Sequence, residues 1–319
     1  MAAITASMVN DLRQKTGCGM MECKKALTEA NGDVDEAIKL LREKGLAVAA
    51  KKASRIAAEG VVDIMVADDK KSAAMIEVNA ETDFVAKNAT FLEFVQNILK
   101  TILATRPANV EELLAKQYVD TDMTVEAKLK DMVFTIGENM NIRRFVIVDG
   151  IVGSYIHGKG STGVIVTFDT AEEIANKAEF AEFAKNIALQ VAGAPSPVLY
   201  LNKESVPEKD LEEEKAIIMA QLANDPKNAN KPAQILEKMV AGKLGKFYEK
   251  NCLLEQEYVK EDKMSVTEYV NNTAKALGGA IAVTGYYLYE KGEGLEKRED
   301  DFAAEIAKMV KGSYRKLGP

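Results

Sequence analysis

The sequence predicts an α+β protein: an N-terminal three-helix bundle, two repeated units of small antiparallel sheet plus helices, an inserted antiparallel helical hairpin and a C-terminal helix. Three observations carry this. Apolar stripes at helical spacing fill the first 45 residues, strand-like and helical segments then recur in the same order, and the second copy is longer by roughly 50 residues. The divisions expected are 1–55 for the bundle and linker, 56–149 and 150–292 for the two core units, about 203–250 for the insertion, and 293–319 for the C-terminal helical module.

In the bundle, a first helix carries Met8, Val9 and Leu12, and Gly17-Cys18-Gly19 breaks it. A second carries Cys23, Ala26, Leu27 and Ala30. Asn31-Gly32-Asp33 ends it and caps a third, with Val34, Ala37, Ile38 and Leu41, which Gly45 is expected to close. Met20 and Met21 follow the first break, and only one is needed for a core stripe. A spare methionine on so small a domain suits a contact surface. The Ala- and Lys-rich stretch 46–59 reads as a linker.

The repeat follows. Gly60-Val61-Val62 matches Gly150-Ile151-Val152. Phe91-Leu92-Glu93-Phe94-Val95 matches Phe180-Ala181-Glu182-Phe183-Ala184. The stripe Val125, Leu129, Met132, Val133 ending at Gly137 matches Val266, Val270, Thr273, Ala274 ending at Gly278, and a strand-like run follows each. Each copy reads strand, turn, strand, helices, strand, a small sheet with helices on one face, and the copies are expected side by side. Inside the second copy, Pro207 opens a helix lined by Leu211, Ile218 and Leu222. Asn224-Asp225-Pro226 breaks it, and Pro232 opens a second helix lined by Leu236, Val240 and Leu244. Such a hairpin is suited to self-association or to a partner complex. Residues 301–309 form a short amphipathic stripe that includes Phe302.

The net charge of -7 argues against nucleic acid as the main partner, since phosphate binding needs clustered Lys and Arg. Residues 1–10 lack the basic start and apolar core of a secretory leader, and no stretch approaches a membrane span. The odd count of three cysteines suits a reducing, cytoplasmic setting. Signals for bond-making chemistry are scarce, so no enzyme activity, cofactor or metal is expected. Gly158-Lys159-Gly160-Ser161-Thr162-Gly163 has phosphate-loop composition, but Ser154 stands where such a loop needs glycine, and Gly160 stands where it needs a hydroxyl residue. A hairpin turn fits better. His157, the single histidine, lies beside that turn without a nucleophile or metal partner.

One stretch stands out: Glu81-Thr82-Asp83-Phe84-Val85-Ala86-Lys87, between a strand and a helix. Thr82 and Asp83 are both N-cap residues. The local pattern alone favours a phenylalanine folded back onto the sheet, because most large aromatics are core.

The run Leu12-Arg13-Gln14-Lys15-Thr16-Gly17-Cys18-Gly19-Met20-Met21-Glu22-Cys23 resembles the N-terminal signature of the bacterial elongation factor Ts family, and Glu77-Val78-Asn79-Ala80-Glu81-Thr82-Asp83-Phe84-Val85-Ala86-Lys87 resembles its second signature. The resemblance implies a guanine-nucleotide exchange factor for elongation factor Tu. It implies that the bundle is ubiquitin-associated-like and docks through Leu12, Met20 and Met21. It further implies that Thr82, Asp83, Phe84 and Val85 disturb the partner's magnesium site, with Phe84 as a wedge. A second contact is implied around His157 and another through the C-terminal helix at Phe302. Two other readings stay open here: an enzyme using 158–163 for phosphate, and a scaffold binding a ribosomal or ubiquitin-like protein without exchange.

Overall fold

Two three-stranded antiparallel sheets, each backed by helices, form the centre of the molecule. The computed structural model describes residues 4–228 and 231–296, so the expected C-terminal helix and Phe302 lie outside the described residues.

The N-terminal helices are α1 (Ala6–Thr16), α2 (Met20–Glu29) and α3 (Val34–Lys52). Thr5 caps α1, Gly17 ends it in the left-handed region at φ 68°, and Asp33 caps α3 by accepting from the Glu36 N–H at 2.9 Å. Their stripes meet in a core of Val9, Leu12, Cys23, Leu27, Ala37 and Leu41. Gly45 does not close α3, contrary to the expectation; the helix continues to Lys52. The reason is packing. Gly45 is buried where α3 lies against the helix carrying Phe134, and a Cβ there would meet Phe134 at 3.4 Å, an ordinary contact distance. Packing of α3 along that helix carries it through a glycine, which costs roughly 1 kcal/mol inside a helix.

The first core unit comprises β1 (Glu59–Val66), β2 (Ser72–Ala80), α4 (Asp83–Ala86), α5 (Ala89–Thr105), α6 (Val110–Ala115), α7 (Val125–Ile136) and β3 (Met140–Asp149). The second comprises β4 (Ile151–His157), β5 (Thr162–Thr170), α8 (Glu172–Ala175), α9 (Ala178–Gly193), α10 (Glu208–Ala223), α11 (Ala233–Asn251), α12 (Val266–Leu277) and β6 (Ile281–Glu290). The sheet orders are β1-β2-β3 and β4-β5-β6, all antiparallel. Both central strands carry a register shift at matching places, Glu77/Val78 and Thr167/Phe168. The 158–161 stretch is the turn of the β4–β5 hairpin, with no helix following it as a phosphate loop would need.

The two sheets pack face to face, not side by side. On β2 one side-chain face, Ala74, Ile76, Val78 and Ala80, packs with Phe91, Phe94, Ile98 and Ile102 of α5. The opposite face contributes Ala73 and Met75, with Val62 of β1 and Val148 of β3, to a layer shared with Ile165 of the second sheet. Burial on both faces explains why β2 is mostly apolar rather than alternating, Glu77 and Asn79 being its polar exceptions. Glycine permits the close approach: a Cβ on Gly163 would sit 2.5 Å from Val62 Cγ1 and 3.0 Å from Met75 Sδ. The second unit is closed by Phe168, Phe180, Phe183, Ile187 and Val266. The hairpin α10–α11 fully buries Ile218 and Leu222 and leaves Ile217, Met219 and Ile235 exposed. No described helix is long and apolar enough to cross a membrane.

One end of the inter-sheet layer is polar. Glu77 is 0% exposed and accepts hydrogen bonds from Arg143 Nη1 at 2.9 and 3.1 Å, Arg144 Nε at 2.7 Å, Asn79 Nδ2 at 3.1 Å and the Gly292 N–H at 2.8 Å. Burial pushes its carboxyl up, but the Gly292, Asn79, Arg143 and Arg144 hydrogen bonds together outweigh burial and hold it below the ordinary glutamate value of 4.5.

Gly163→Ala should destabilise the fold by about 1–3 kcal/mol, because the buried Val62 branch has no room to yield; urea unfolding measures this. Glu77 supplies stability that is fully present above pH 4.5 and is lost as the pH falls through its depressed value. Glu77→Gln should therefore cost about 2–4 kcal/mol at pH 7 and flatten the acid limb of a stability–pH profile. An unchanged acid limb would contradict that assignment.

Candidate functional site

Phe84 is 79% exposed, the most exposed large apolar side chain among the described residues. The pattern-based expectation of a phenylalanine folded onto the sheet is corrected: Val85, its neighbour, is the residue that turns inward, at 5% exposure. The short helix α4 cannot be stable alone, since a single turn fixes several dihedrals for one hydrogen bond. Its N-terminal end is instead held by side chains, and its C-terminal end by the Lys87 and Asn88 N–H groups donating to the Phe84 and Val85 carbonyls.

Thr82 is the N-cap, in extended backbone, with its hydroxyl accepting from the Val85 N–H at 3.5 Å. The same hydroxyl donates to Glu138 Oε1 at 2.9 Å, and the Thr82 N–H donates to Glu138 Oε2 at 3.0 Å. Glu81 accepts from the Asn139 N–H at 2.6 Å and from Arg55 Nη1 at 3.3 Å, while Asn139 Nδ2 donates to the Arg55 carbonyl at 2.8 Å. Lys52, at the end of α3, donates to the Gly137 carbonyl. The linker, the root of the turn and the segment after α7 are thus tied together. Asn88 then caps α5 through the Thr90 N–H at 2.8 Å.

Asp83 is exposed and paired with Lys87 at 2.6 Å. That hydrogen bond holds its carboxyl below the ordinary aspartate range, and the nearby Lys291 charge adds to the effect. The site therefore presents an apolar ring beside an ionised carboxylate, on a turn fixed from both sides.

Comparison with the second repeat separates what the fold requires from what it does not. The slot of Val85 is filled there by buried Ile174, and the slot of Phe84 by exposed Glu173. Ala171 replaces Thr82 and gives no side-chain cap. Gly279 replaces Glu138; a Cβ there would lie 2.4 Å from Ile174 Cδ1. The exposed position tolerates a charge, so the fold does not demand its phenylalanine. Only the first copy has the polar strap.

The other expected contact residues fall in different places. Met20 and Met21 open α2 and are 50% and 64% exposed, whereas Leu12 is 1% exposed and lies inside the bundle core. Leu12 therefore offers no surface of its own. His157 is exposed at the end of β4, with Nδ1 3.3 Å from the Tyr155 hydroxyl. Among the described residues no cluster of three His, Cys, Asp or Glu side chains could hold a metal ion. The role of Glu138, Asn139 and Arg55 at this turn is not readable from the sequence, because their partners are distant along the chain. The one available signal was an acid placed directly after the helix-ending Gly137.

A family model described as Elongation factor TS matches residues 81–293. The chain is 45% identical over 313 residues to Elongation factor Ts of Clostridium kluyveri, covering 97% of this chain and 99% of that protein. It is 44% identical over 311 residues to Elongation factor Ts of Clostridium botulinum, covering 96% and 98%.

Glu138→Gln should loosen the turn without unfolding the domain. Amide exchange at 82–85 should accelerate roughly 5- to 30-fold, as expected for losing about 1–2 kcal/mol of charge-assisted hydrogen bonding. Unchanged exchange there would mean that the strap is not what holds the turn.

Proposed function

The chain belongs to the elongation factor Ts family, and from that premise we propose that it is a guanine-nucleotide exchange factor for elongation factor Tu. The observation that carries the mechanism is the 79% exposure of Phe84 on a capped, strapped turn. Phe84 enters between partner elements that support the Mg²⁺ and phosphate site. Asp83 binds beside it, Val85 anchors the turn in this chain's own core, and Thr82 orients it. The bundle adds affinity through Met20 and Met21, with Leu12 supporting the surface from below. The second unit adds a contact around His157, and the segment containing Phe302 adds another.

No bond is made or broken by this chain. The partner holds its nucleotide partly through Mg²⁺ bridging the phosphates. A factor that binds the nucleotide-free state more tightly weakens nucleotide binding by the same factor, because coupling between two ligands is reciprocal. Burying a phenylalanine contributes about 1.5–3 kcal/mol, which corresponds to roughly 10- to 100-fold in release. A larger effect draws on the remaining interface. GTP binding then displaces the factor by the same reciprocity.

The test is stopped-flow release of fluorescent GDP from elongation factor Tu. Wild type should accelerate release, and Phe84→Ala should reduce the acceleration by roughly 10- to 100-fold while the chain remains folded. No acceleration by wild type would refute the exchange-factor reading. Equal acceleration by both would move the mechanism away from Phe84.

A further inference from the structure

Resting on the exchange-factor reading, we propose that Glu77 is a positioning residue that locks the last strand of the second repeat to the root of the Phe84 turn, so that partner contacts made by the second repeat set where Phe84 sits. Glu77 lies on β2, the strand that runs directly into Glu81 and Thr82. Its hydrogen bonds reach across both repeats. Arg143 and Arg144 come from β3 of the first, and the Gly292 N–H follows β6 of the second.

The lock has further parts. Arg144 Nη2 donates to the Glu290 carbonyl at 3.1 Å and to Glu293 Oε2 at 2.9 Å, and its guanidinium carbon lies 4.1 Å from the centre of the Tyr289 ring. Arg143 donates to the Glu293 carbonyl. Lys291 donates to Glu59, which pairs with Ala80 in the β1–β2 ladder, one residue before Glu81. Gly292 has φ +69°, and a Cβ there would lie 2.5 Å from the Ala58 carbonyl oxygen, so this turn fits against β1 only with glycine.

The sheet itself does not require this arrangement. The counterpart of Glu77 in the second copy is Thr167, at the same register shift, and its hydroxyl donates only to the neighbouring strand, at the Gly285 carbonyl. An apolar side chain at position 77 would extend the Met75 layer. A buried carboxylate adds direction instead: it is satisfied only when the 290–293 turn and the two arginines are all in place. The second repeat therefore cannot tilt against the first without stripping donors from Glu77. The strand affected is the one that leads into the Phe84 turn.

The experiment measures GDP release from elongation factor Tu across a range of exchange-factor concentrations, with wild type, Glu77→Gln, Phe84→Ala and the double variant. Glu77→Gln should lower the saturating release rate by roughly 2- to 30-fold, with the concentration for half-effect nearly unchanged. It should add no further loss in the Phe84→Ala background, because it acts through Phe84. An equal further loss in that background, or a change confined to the half-effect concentration, overturns the proposal. If Glu77→Gln does not fold, Glu293→Ala, which meets the cluster from an exposed rim position, is judged by the same criteria. Amide exchange of the free chain supplies a readout without the partner. Residues 78–85 and 286–293 should lose protection together in the variant, and a response in only one segment overturns the lock. Failure of wild type to accelerate release would instead refute the exchange-factor reading, and the exchange data would still decide whether the lock exists.

Discussion

A carboxylate removed from water has to be surrounded by donors, and in this molecule the donors for Glu77 come from both halves of the fold. The rest of the inter-sheet layer, Val62, Ala73, Met75, Val148 and Ile165, supplies attraction without direction. Apolar layers of that kind tolerate sliding and tilting at modest cost. Glu77 does not, because each of its hydrogen bonds specifies a distance and an angle. The close approach at Gly160 and Gly163 allows the sheets to meet, and the Val62 N–H donating to the Gly160 carbonyl at 2.8 Å pins the second hairpin to β1. Attraction from the layer and direction from the polar end together define one arrangement of the two repeats.

Within that arrangement the repeats have diverged at one turn. Both bury an aliphatic residue, Val85 or Ile174, as an anchor beneath a short helix. In the second copy the anchor is larger, and Gly279 makes room for its tip. In the first copy the anchor is smaller, and Glu138 takes that place to bind Thr82 through both carboxylate oxygens. One copy stabilises its turn by packing, the other by a charge-assisted strap. The strap leaves the outer position free to carry a ring that the core does not need.

Much of this organisation was legible in the sequence because it depends on local periodicity. The stripes of α1, α2, α5, α7 and α12 repeat at helical spacing, and Pro207 and Pro232 mark the starts of α10 and α11. What could not be read depends on contacts between distant residues. Gly45 looks like a helix stop until Phe134 is packed against it. Leu12, beside two methionines in one signature, shares their neighbourhood in sequence but not their exposure. The orientation of Phe84 was undecidable from its own turn, since the residues that settle it, Glu138 and Asn139, follow α7. Glu77 did leave a mark: it is the one charged residue in a mostly apolar strand, and a lone charge in such a run has to be paired somewhere.

In the proposed mechanism the straps matter as much as the ring does. Fixing the backbone of one residue costs about 1–2 kcal/mol. Ordering the four residues 82–85 on contact would therefore cost roughly 4–8 kcal/mol, more than the approximately 1.5–3 kcal/mol that burying one phenylalanine returns. On a loose loop, Phe84 would contribute no net force to nucleotide release. On a turn already held by Thr82, Glu81, Glu138 and Asn139, that ordering has been met during folding, and the burial energy is available to the partner. The remaining gain is still modest, which suits the proposed role, in which the factor has to be displaced again in each cycle. A wedge that bound much more tightly would hold the nucleotide-free state and stop the cycle, so a single exposed ring on a rigid turn is close to the size the proposed mechanism requires.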